Sequence, residues 1–241
     1  MTLELVQVED VDAIAREAAD IIADTMGSQP DALVLAATGD TPMGTYAELV
    51  RLGTTGEFDS SRMRIAQLDE YLGIRLDDPR SLFGWLDRAL LEPLGIGHDR
   101  VIRFDVQAPD AVRSARDYDA CIQRGGGIDL AVLGLGLNGH LGFNEPPSDA
   151  RSPTRVIDLS PDTLASNAAY WGDRPVPTRA ITAGMALILA ARRVLLLVSG
   201  GHKAEVVGRL RHSAPDPQLP ASALDAHPRA TLIADRAALN A

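Results

Sequence analysis

Cysteine, long apolar runs, positive charge and aromatic residues are scarce in this sequence, and each shortage excludes some classes of protein. Among its 241 residues there is one cysteine, Cys121, so the chain cannot form an internal disulfide. Cys121 falls in a helical pattern, which predicts a small residue of the core. No apolar run is long enough to span a bilayer and no signal peptide is recognisable, so we expect a protein of the reducing cytoplasm.

Positive charge and aromatic rings are also scarce. The formal net charge of −10 argues against a nucleic-acid partner and gives no attraction to an anionic membrane surface. Aromatic residues make up 4% of the chain, while alanine, valine, leucine and isoleucine are plentiful, which is typical of helices packed on a parallel sheet. The length predicts a single α/β domain over residues 1–241.

Short apolar runs alternate with helical patterns along the whole chain. Helices are predicted at 8–26, 42–51, 80–94, 109–124, 160–170, 183–191 and from the GGHK turn to 211. Buried strands are predicted at 32–37, 63–68, 101–104, 130–135, 194–199 and 230–234. This alternation predicts a doubly wound, mostly parallel sheet with helices on both faces, a Rossmann-like three-layer fold. In such a sheet the turns that follow the strands gather along one edge.

The stretch 128–147, IDLAVLGLGLNGHLGFNEPP, is the main site candidate. It begins as a buried strand, and four glycines then let the backbone turn sharply and approach a ligand. The polar side chains of Asn138, His140, Asn144 and Glu145 follow the strand, where open α/β sheets bind their ligands. A glycine-rich turn with incidental polar residues is the alternative interpretation.

Three other features of the sequence are weaker evidence for a ligand-binding site. The turn at 38–42, TGDTP, combines a predicted N-cap, Thr41, with a proline as first helical residue, and helix N-termini bind anions through free N–H groups. The same turn is compatible with a capped helix that binds nothing. Asp69 and Glu70 end a predicted strand, where solvated acids are the simpler interpretation. Gly134 and Gly136 on their own are typical of an ordinary strand-to-helix turn.

Four segments together resemble the glucosamine-6-phosphate deaminase family. They are ATGDTPMGTY at 37–46, LDEYLGI at 68–74, LGLGLNGHLGFNEP at 133–146 and GGHKA at 200–204. Their order and spacing agree with the family over nearly the whole chain. The related 6-phosphogluconolactonases usually have Asp-Glu-Arg in place of Asp-Glu-Tyr at 69–71, and they lack FNEP.

The resemblance implies an aldose-to-ketose isomerisation of an amino-sugar phosphate, coupled to loss of ammonia from C2, without metal or organic cofactor. Asp69 matches the base that moves the C2 proton to C1. His140 matches the group that opens the pyranose ring, and Asn138 and Glu145 match the residues that flank it. The residues that match the phosphate subsite are Thr38, Gly39, Asp40, Thr41 and Lys203.

Ring opening and proton transfer between carbons require the same residue types. Proton transfer between adjacent carbons needs one carboxylate within reach of both and shielded from bulk water. Ring opening needs a base that returns its proton, and histidine titrates near neutrality. The sequence contains no close cluster of histidines and cysteines to hold a metal ion.

The chain departs from the family pattern at four positions. Asn138 stands where the best-studied pattern has aspartate, which predicts a less basic His140. Asp40 replaces a usual glycine or serine, and its carboxylate could accept the free N–H groups of the helix itself. Ala169 aligns with an arginine that the family uses on the phosphate. Ile157 aligns with a lysine of the allosteric site of some members, although Arg155 is retained.

These departures keep several functions open. Arg174 or Arg179 could supply the missing cation, in which case an ordinary sugar phosphate is the substrate. A different or unphosphorylated amino sugar is the alternative. A lactone hydrolase is less favoured because of the segments LDEYLG and FNEP. A non-catalytic sugar-phosphate sensor, as in some sugar-responsive repressors, is less favoured because Asp69, His140 and Glu145 occur together, only one helix is predicted before the first strand, and the chain is acidic. The short chain after Asp235 favours a small homo-oligomer without an activator.

Overall fold

The architecture is a seven-stranded parallel sheet with a small antiparallel sheet beside it. The computed structural model describes residues 3–75 and 77–240. The ten strands of that part of the chain are β1 (Glu4–Val8), β2 (Leu33–Ala36), β3 (Arg64–Gln67), β4 (Asp69–Tyr71), β5 (Val101–Ile102), β6 (Leu130–Gly134), β7 (Arg155–Asp158), β8 (Arg179–Thr182), β9 (Arg193–Val198) and β10 (Ala230–Asp235).

Helices cover both faces of the main sheet. The α-helices are α1 (Val11–Ser28), α2 (Asp40–Thr55), α3 (Leu82–Leu86), α4 (Ala111–Arg124), α5 (Pro161–Trp171), α6 (Met185–Leu189), α7 (Ala204–His212) and α8 (Arg236–Leu239). A π-helical turn, Asp87–Leu91, continues α3, and short 3₁₀ helices lie at His98–Arg100, Gly201–Lys203 and Pro220–Ala226. The predicted three-layer α/β fold is confirmed. No helix of the described chain is long and apolar enough to cross a membrane.

The order of the main sheet, β1-β10-β9-β6-β2-β3-β5, places a topological switch point between β2 and β6. From β2 the chain winds outward through β3 to β5, and from β6 it winds the other way through β9 to β10. Connections on the two sides leave the sheet in opposite directions, which opens a crevice at the carboxyl ends of these two strands. The turns after β2 and β6, both glycine-rich, therefore face each other.

Side chains of the central strands divide between two cores. Because successive residues of a strand point to opposite faces, Leu35 and Leu133 enter the core on one face while Val34 and Val132 enter the other. All four are almost completely buried. Strands buried on both faces read as continuous apolar runs, which is why β2, β6, β9 and β10 were predictable from the sequence.

Several strand and cap predictions were wrong. A strand, β1, precedes α1 and pairs with β10 at the edge of the sheet. None of its residues is fully buried, and Glu4 and Gln7 interrupt the apolar run by which the other strands were predicted. The strand predicted at 63–68 is followed directly by a second strand that was not predicted. Residues 69–71 form β4, which pairs with β8 in the second sheet, order β4-β8-β7. The N-cap of α2 is Gly39, with Thr41 inside the first turn. Cys121 is exposed and does not belong to the core.

Candidate active site

A cavity of about 610 Å³ lies at the switch point between β2 and β6. Its walls come from the turns that follow β2, β3, β6 and β9, together with one side of α5. Of the nine site residues predicted from the sequence, eight line it: Thr38, Gly39, Asp40, Thr41, Asp69, Asn138, His140 and Lys203. The ninth, Glu145, lies outside the lining.

The imidazole of His140 is held by Asn138. Asn138 Oδ1 lies 2.7 Å from His140 Nδ1 and accepts the backbone N–H of His140 at 3.2 Å. An amide oxygen only accepts, so Nδ1 carries the proton and Nε2 has a free lone pair. Burial lowers the pKa of His140 to about 4, with the charge of Glu145 acting to raise it and that of Lys203 to lower it. At neutral pH the ring is therefore a neutral base.

Gly136 makes room for this imidazole. A Cβ on Gly136 would lie 2.3–2.4 Å from three ring atoms of His140. The backbone also closes here, since Gly136 N–H donates to His140 O at 3.0 Å. The sequence interpretation gave Gly136 an ordinary turn role. The structure instead requires glycine at this position for His140 to pack where it does.

Glu145 acts on His140 from behind the cavity wall. Its Oε2 accepts the backbone N–H of Ser160 at 3.1 Å, and its Oε1 is buried with no hydrogen-bond partner in the described chain. Ser160 is the N-cap of α5, because its hydroxyl accepts Thr163 N–H at 3.2 Å. The carboxylate is thus tied to the start of the helix that covers the cavity.

Asp69 and Glu70 are both buried, so the expectation that they are solvated was wrong. Burial, and then the charge of Glu70, raises the pKa of Asp69 to about 8. Burial also raises the pKa of Glu70, but unlike Asp69 it accepts hydrogen bonds from Tyr71 N–H, Leu82 N–H, Phe83 N–H and the Gln67 amide, all within 3.0 Å, which act to lower it. Four donors match a carboxylate at the start of α3. Glu70 is a structural anion, whereas Asp69 exchanges a proton near neutral pH.

Aromatic side chains that the sequence interpretation missed form one wall. Tyr71 packs edge-on against Trp171 at 5.2 Å between centroids, and its hydroxyl accepts from the Asn167 amide at 2.9 Å. Trp85 and Tyr170 pack edge-on in the same way, also at 5.2 Å. The scarcity of aromatic residues could have drawn attention to them. Only 4% of the chain is aromatic, and five of the ten aromatic side chains line the cavity: Tyr71, Trp85, Phe143, Tyr170 and Trp171.

The start of α2 lines the cavity. Gly39, at a φ of 149°, is the N-cap, and no side chain accepts its first N–H groups. Asp40 does not fill this position as the sequence suggested. Its exposed carboxylate instead accepts the hydroxyl of Tyr170 at 3.1 and 3.2 Å. The helix start therefore keeps its donors for a ligand.

Two cationic side chains of the described chain line the cavity: Lys203, which the sequence predicted, and Arg80, which it did not. Lys203 donates to Leu135 O at 2.7 Å, and burial lowers its pKa. Arg80 lies over the Trp171 ring at 4.6 Å, and its Nε and Nη2 donate to the two carboxylate oxygens of Asp78. Neither Arg174 nor Arg179 belongs to the lining, so the expected replacement from either was wrong. Among the described residues no group of three histidine, cysteine or acidic side chains could hold a metal ion.

Comparison with known proteins identifies the family. A family model described as glucosamine-6-phosphate isomerases/6-phosphogluconolactonase matches residues 7–233. The chain belongs to this family. It is 39% identical to a glucosamine-6-phosphate deaminase of Bacillus pumilus over 98% of both chains. It is 41% identical to one of Streptomyces avermitilis, over 98% of this chain and 91% of the relative.

Solved structures of family members share the fold described above. A monomeric glucosamine-6-phosphate deaminase superposes with a TM-score of 0.95 at 36% identity, covering 99% of this chain and all of that one. A 6-phosphogluconolactonase from Trypanosoma cruzi superposes with a TM-score of 0.80 at 21% identity, over 98% and 95% of the two chains. The second likeness concerns the fold alone.

Proposed function

We propose that this family member is a glucosamine-6-phosphate deaminase. It would convert glucosamine 6-phosphate and water into the ketose 6-phosphate and ammonia, in the cytoplasm and without a cofactor. The observation that carries the proposal is one cavity lined by two proton-exchanging groups of different character. Asp69 is a buried carboxyl with a pKa of about 8, and His140 is a neutral imidazole with a free Nε2.

His140 is suited to opening the sugar ring. Its Nε2 takes the proton of the anomeric hydroxyl, the bond between C1 and the ring oxygen breaks, and the proton is returned to that oxygen. Asn138 fixes the tautomer that leaves Nε2 free. The charge of Glu145 favours the imidazolium that forms during this step. The product is the open-chain aldehyde.

Asp69 is suited to the transfer of a proton from C2 to C1. It removes the C2 proton of the aldehyde while O1 takes a proton from solvent, which gives an enolamine. It then delivers the C2 proton to C1 while the nitrogen gives up a proton to solvent, which leaves an imine at C2. Water then adds to the imine and ammonia leaves. A carboxyl with a pKa near 8 both accepts and donates a proton at small cost near neutral pH. Its burial shields the transferred proton from bulk water.

The phosphate would bind in the same cavity, at the start of α2. The uncapped start of α2 offers backbone N–H groups and the positive end of a 16-residue helix. Lys203 supplies a cation from the turn after β9. Residues 38–41 and Lys203 are therefore the phosphate ligands of this proposal.

An unphosphorylated amino sugar is the second candidate substrate. It is favoured by the carboxylate of Asp40, which lies at the start of α2 among the cavity residues. A carboxylate there repels a phosphate dianion but accepts a sugar hydroxyl.

The test is release of ammonia from a panel of 2-amino sugars and their 6-phosphates, with hydrolysis of 6-phosphogluconolactone as a control reaction. The proposal expects glucosamine 6-phosphate to give ammonia and ketose phosphate in equal amounts. Ammonia from glucosamine alone would favour the second candidate. Hydrolysis of the lactone without ammonia release from any amino sugar would refute both.

A further inference from the structure

The loop that carries Glu145 is fixed by side chains and not by regular structure. Asn144 is completely buried, and its Nδ2 donates to both Leu141 O and Ala183 O at 2.8 Å. Phe143 N–H donates to Thr182 Oγ1 at 3.1 Å. These bonds attach one side of the loop to the end of β8.

Arg155, on β7, holds the same loop at two further points. Its Nη1 donates to Asn144 Oδ1 at 2.7 Å, and its Nη2 donates to Ser148 Oγ at 3.0 Å. Ser148 Oγ in turn donates to the backbone oxygen of Glu145 at 2.6 Å. The contacts lie one residue before and three residues after Glu145. They fix the backbone from which its carboxylate extends.

The charge of Arg155 is not used in an ion pair. In the described chain it contacts neutral oxygens and no carboxylate, and burial lowers its pKa. A partly buried cation without a counter-charge costs free energy. The planar fork of a guanidinium, however, spans two acceptors that a single ammonium cannot hold together. The geometry thus favours a role in holding the loop.

The position of Glu145 bears on His140. Glu145 and Lys203 are the charged groups that act on this imidazole, with opposite signs, and Asn138 is its neutral contact. An attraction between charges depends on their separation. Among these neighbours only the carboxylate of Glu145 favours the imidazolium. A shift of Glu145 away from His140 therefore weakens that attraction.

We propose that Arg155 is a positioning residue, which holds the loop so that Glu145 lies at the distance from His140 that ring opening requires. The kinetic consequence rests on the proposed deaminase function, whereas the effect on His140 can be measured without substrate.

The substrate-free test compares Arg155→Ala with Arg179→Ala. Arg179 lies on the neighbouring strand and pairs with Asp158 at 3.7 Å, so its removal controls for loss of an arginine from this sheet. The His140 imidazole is titrated by NMR in an Asn138→Asp background, where the added carboxylate brings its pKa to higher pH. A displaced Glu145 lowers that pKa in Arg155→Ala, by about half a unit or more, and leaves it unchanged in Arg179→Ala.

The sign of this shift is decisive. Removal of a positive charge that acts directly through space would raise the pKa of His140, since a cation disfavours the imidazolium. A rise, or no change, would overturn the proposal. A fall is expected only if the loop has moved.

The kinetic test uses the otherwise unaltered protein. Arg155→Ala is expected to lower kcat for glucosamine 6-phosphate about tenfold or more, to change KM less than about threefold, and to slow an already open-chain analogue much less. Millimolar guanidinium is expected to restore part of the kcat that Arg155→Ala loses. The kcat of Arg155→Lys is expected to lie between those of Arg155→Ala and the unaltered protein. Equal losses on both substrates without rescue would indicate a general structural role and refute the proposal. If the unaltered protein releases no ammonia, the deaminase assignment fails while the titration still decides the role of Arg155.

Discussion

The hydroxyl of Tyr170 lies 3.1 and 3.2 Å from the two carboxylate oxygens of Asp40, residues that are 130 positions apart in the chain. Asp40 is the first residue of α2 and Tyr170 lies in the last turn of α5, so the bond joins two walls of the cavity. It keeps a negative charge where a phosphate would bind. Asp40 and Tyr170 line the cavity, and the exposed Ala169 precedes Tyr170 on α5, so we propose these three positions as determinants of substrate choice.

The double change Asp40→Gly with Ala169→Arg is predicted to improve phosphate binding. It removes one negative charge and adds one positive charge beside the start of α2. KM for glucosamine 6-phosphate is expected to fall at least about tenfold, equivalent to about 1.4 kcal/mol, with little change for glucosamine. Steady-state kinetics on both sugars measure this, and Tyr170→Phe controls for loss of the hydrogen bond alone. If the unaltered protein already has a low-millimolar KM that the double change leaves unmoved, Asp40 does not weaken the phosphate subsite.

Asp69→Asn is predicted to abolish isomerisation while preserving the fold. An amide cannot accept the C2 proton. Exchange of solvent deuterium into C2 of the substrate or C1 of the product reports this step directly. Normal exchange in the variant would show that another group is the base.

The same substitution is predicted to stabilise the protein at mildly alkaline pH. The pKa of Asp69 is about 8 in the folded state and about 3.9 in an unfolded chain. Between these values the folded state binds the extra proton, so this carboxyl makes the free energy of unfolding fall as pH rises. The free energy of unfolding of Asp69→Asn is therefore expected to exceed that of the unaltered protein by at least about 1 kcal/mol at pH 8. This difference disappears toward pH 4. Thermal unfolding at both pH values measures the difference, and equal values at pH 8 would contradict the raised pKa.

Asn138→Asp is predicted to make His140 more basic. A carboxylate beside Nδ1 favours the imidazolium, so the pKa rises from about 4 by about one unit or more. The catalytic form is the neutral ring. The acid limb of the profile of kcat/KM against pH therefore moves to higher pH in the variant. An unmoved limb would mean that His140 does not limit the rate as a base.

Gly136→Ala is predicted to impair catalysis far more than Gly134→Ala. A Cβ at Gly136 would overlap the imidazole of His140, whereas one at Gly134 would meet only Pro42 Cδ, at 4.0 Å. A displaced ring of this kind can cost about 100-fold in rate, while the Gly134 variant is expected to stay within about threefold of the unaltered protein. Comparable activity of the two variants would mean that His140 can repack without loss.

Local features of the site were predictable because they depend on neighbours in the sequence. Asn138 and His140 are two residues apart, and the turn between them is set by glycines, so the contact of their side chains follows from a short segment. The N-cap of α5 at Ser160 is equally local. The central strands were predictable because burial on both faces demands a continuous apolar run.

Tertiary structure alone decided the remaining features, because they depend on which distant segments pack together. The sequence by itself determined the alternation of strands and helices and the residue types of the site, whereas the strand order that creates the switch point came from the structure. Only packing placed Asp69 in β4 against β8, buried it beside Glu70 and so raised its pKa, since desolvation is a property of the whole surroundings. Packing likewise brought Tyr170 to Asp40 and Arg155 to the loop of Glu145. No local pattern specifies these pairs, because each joins elements whose approach is fixed by the two cores and the second sheet.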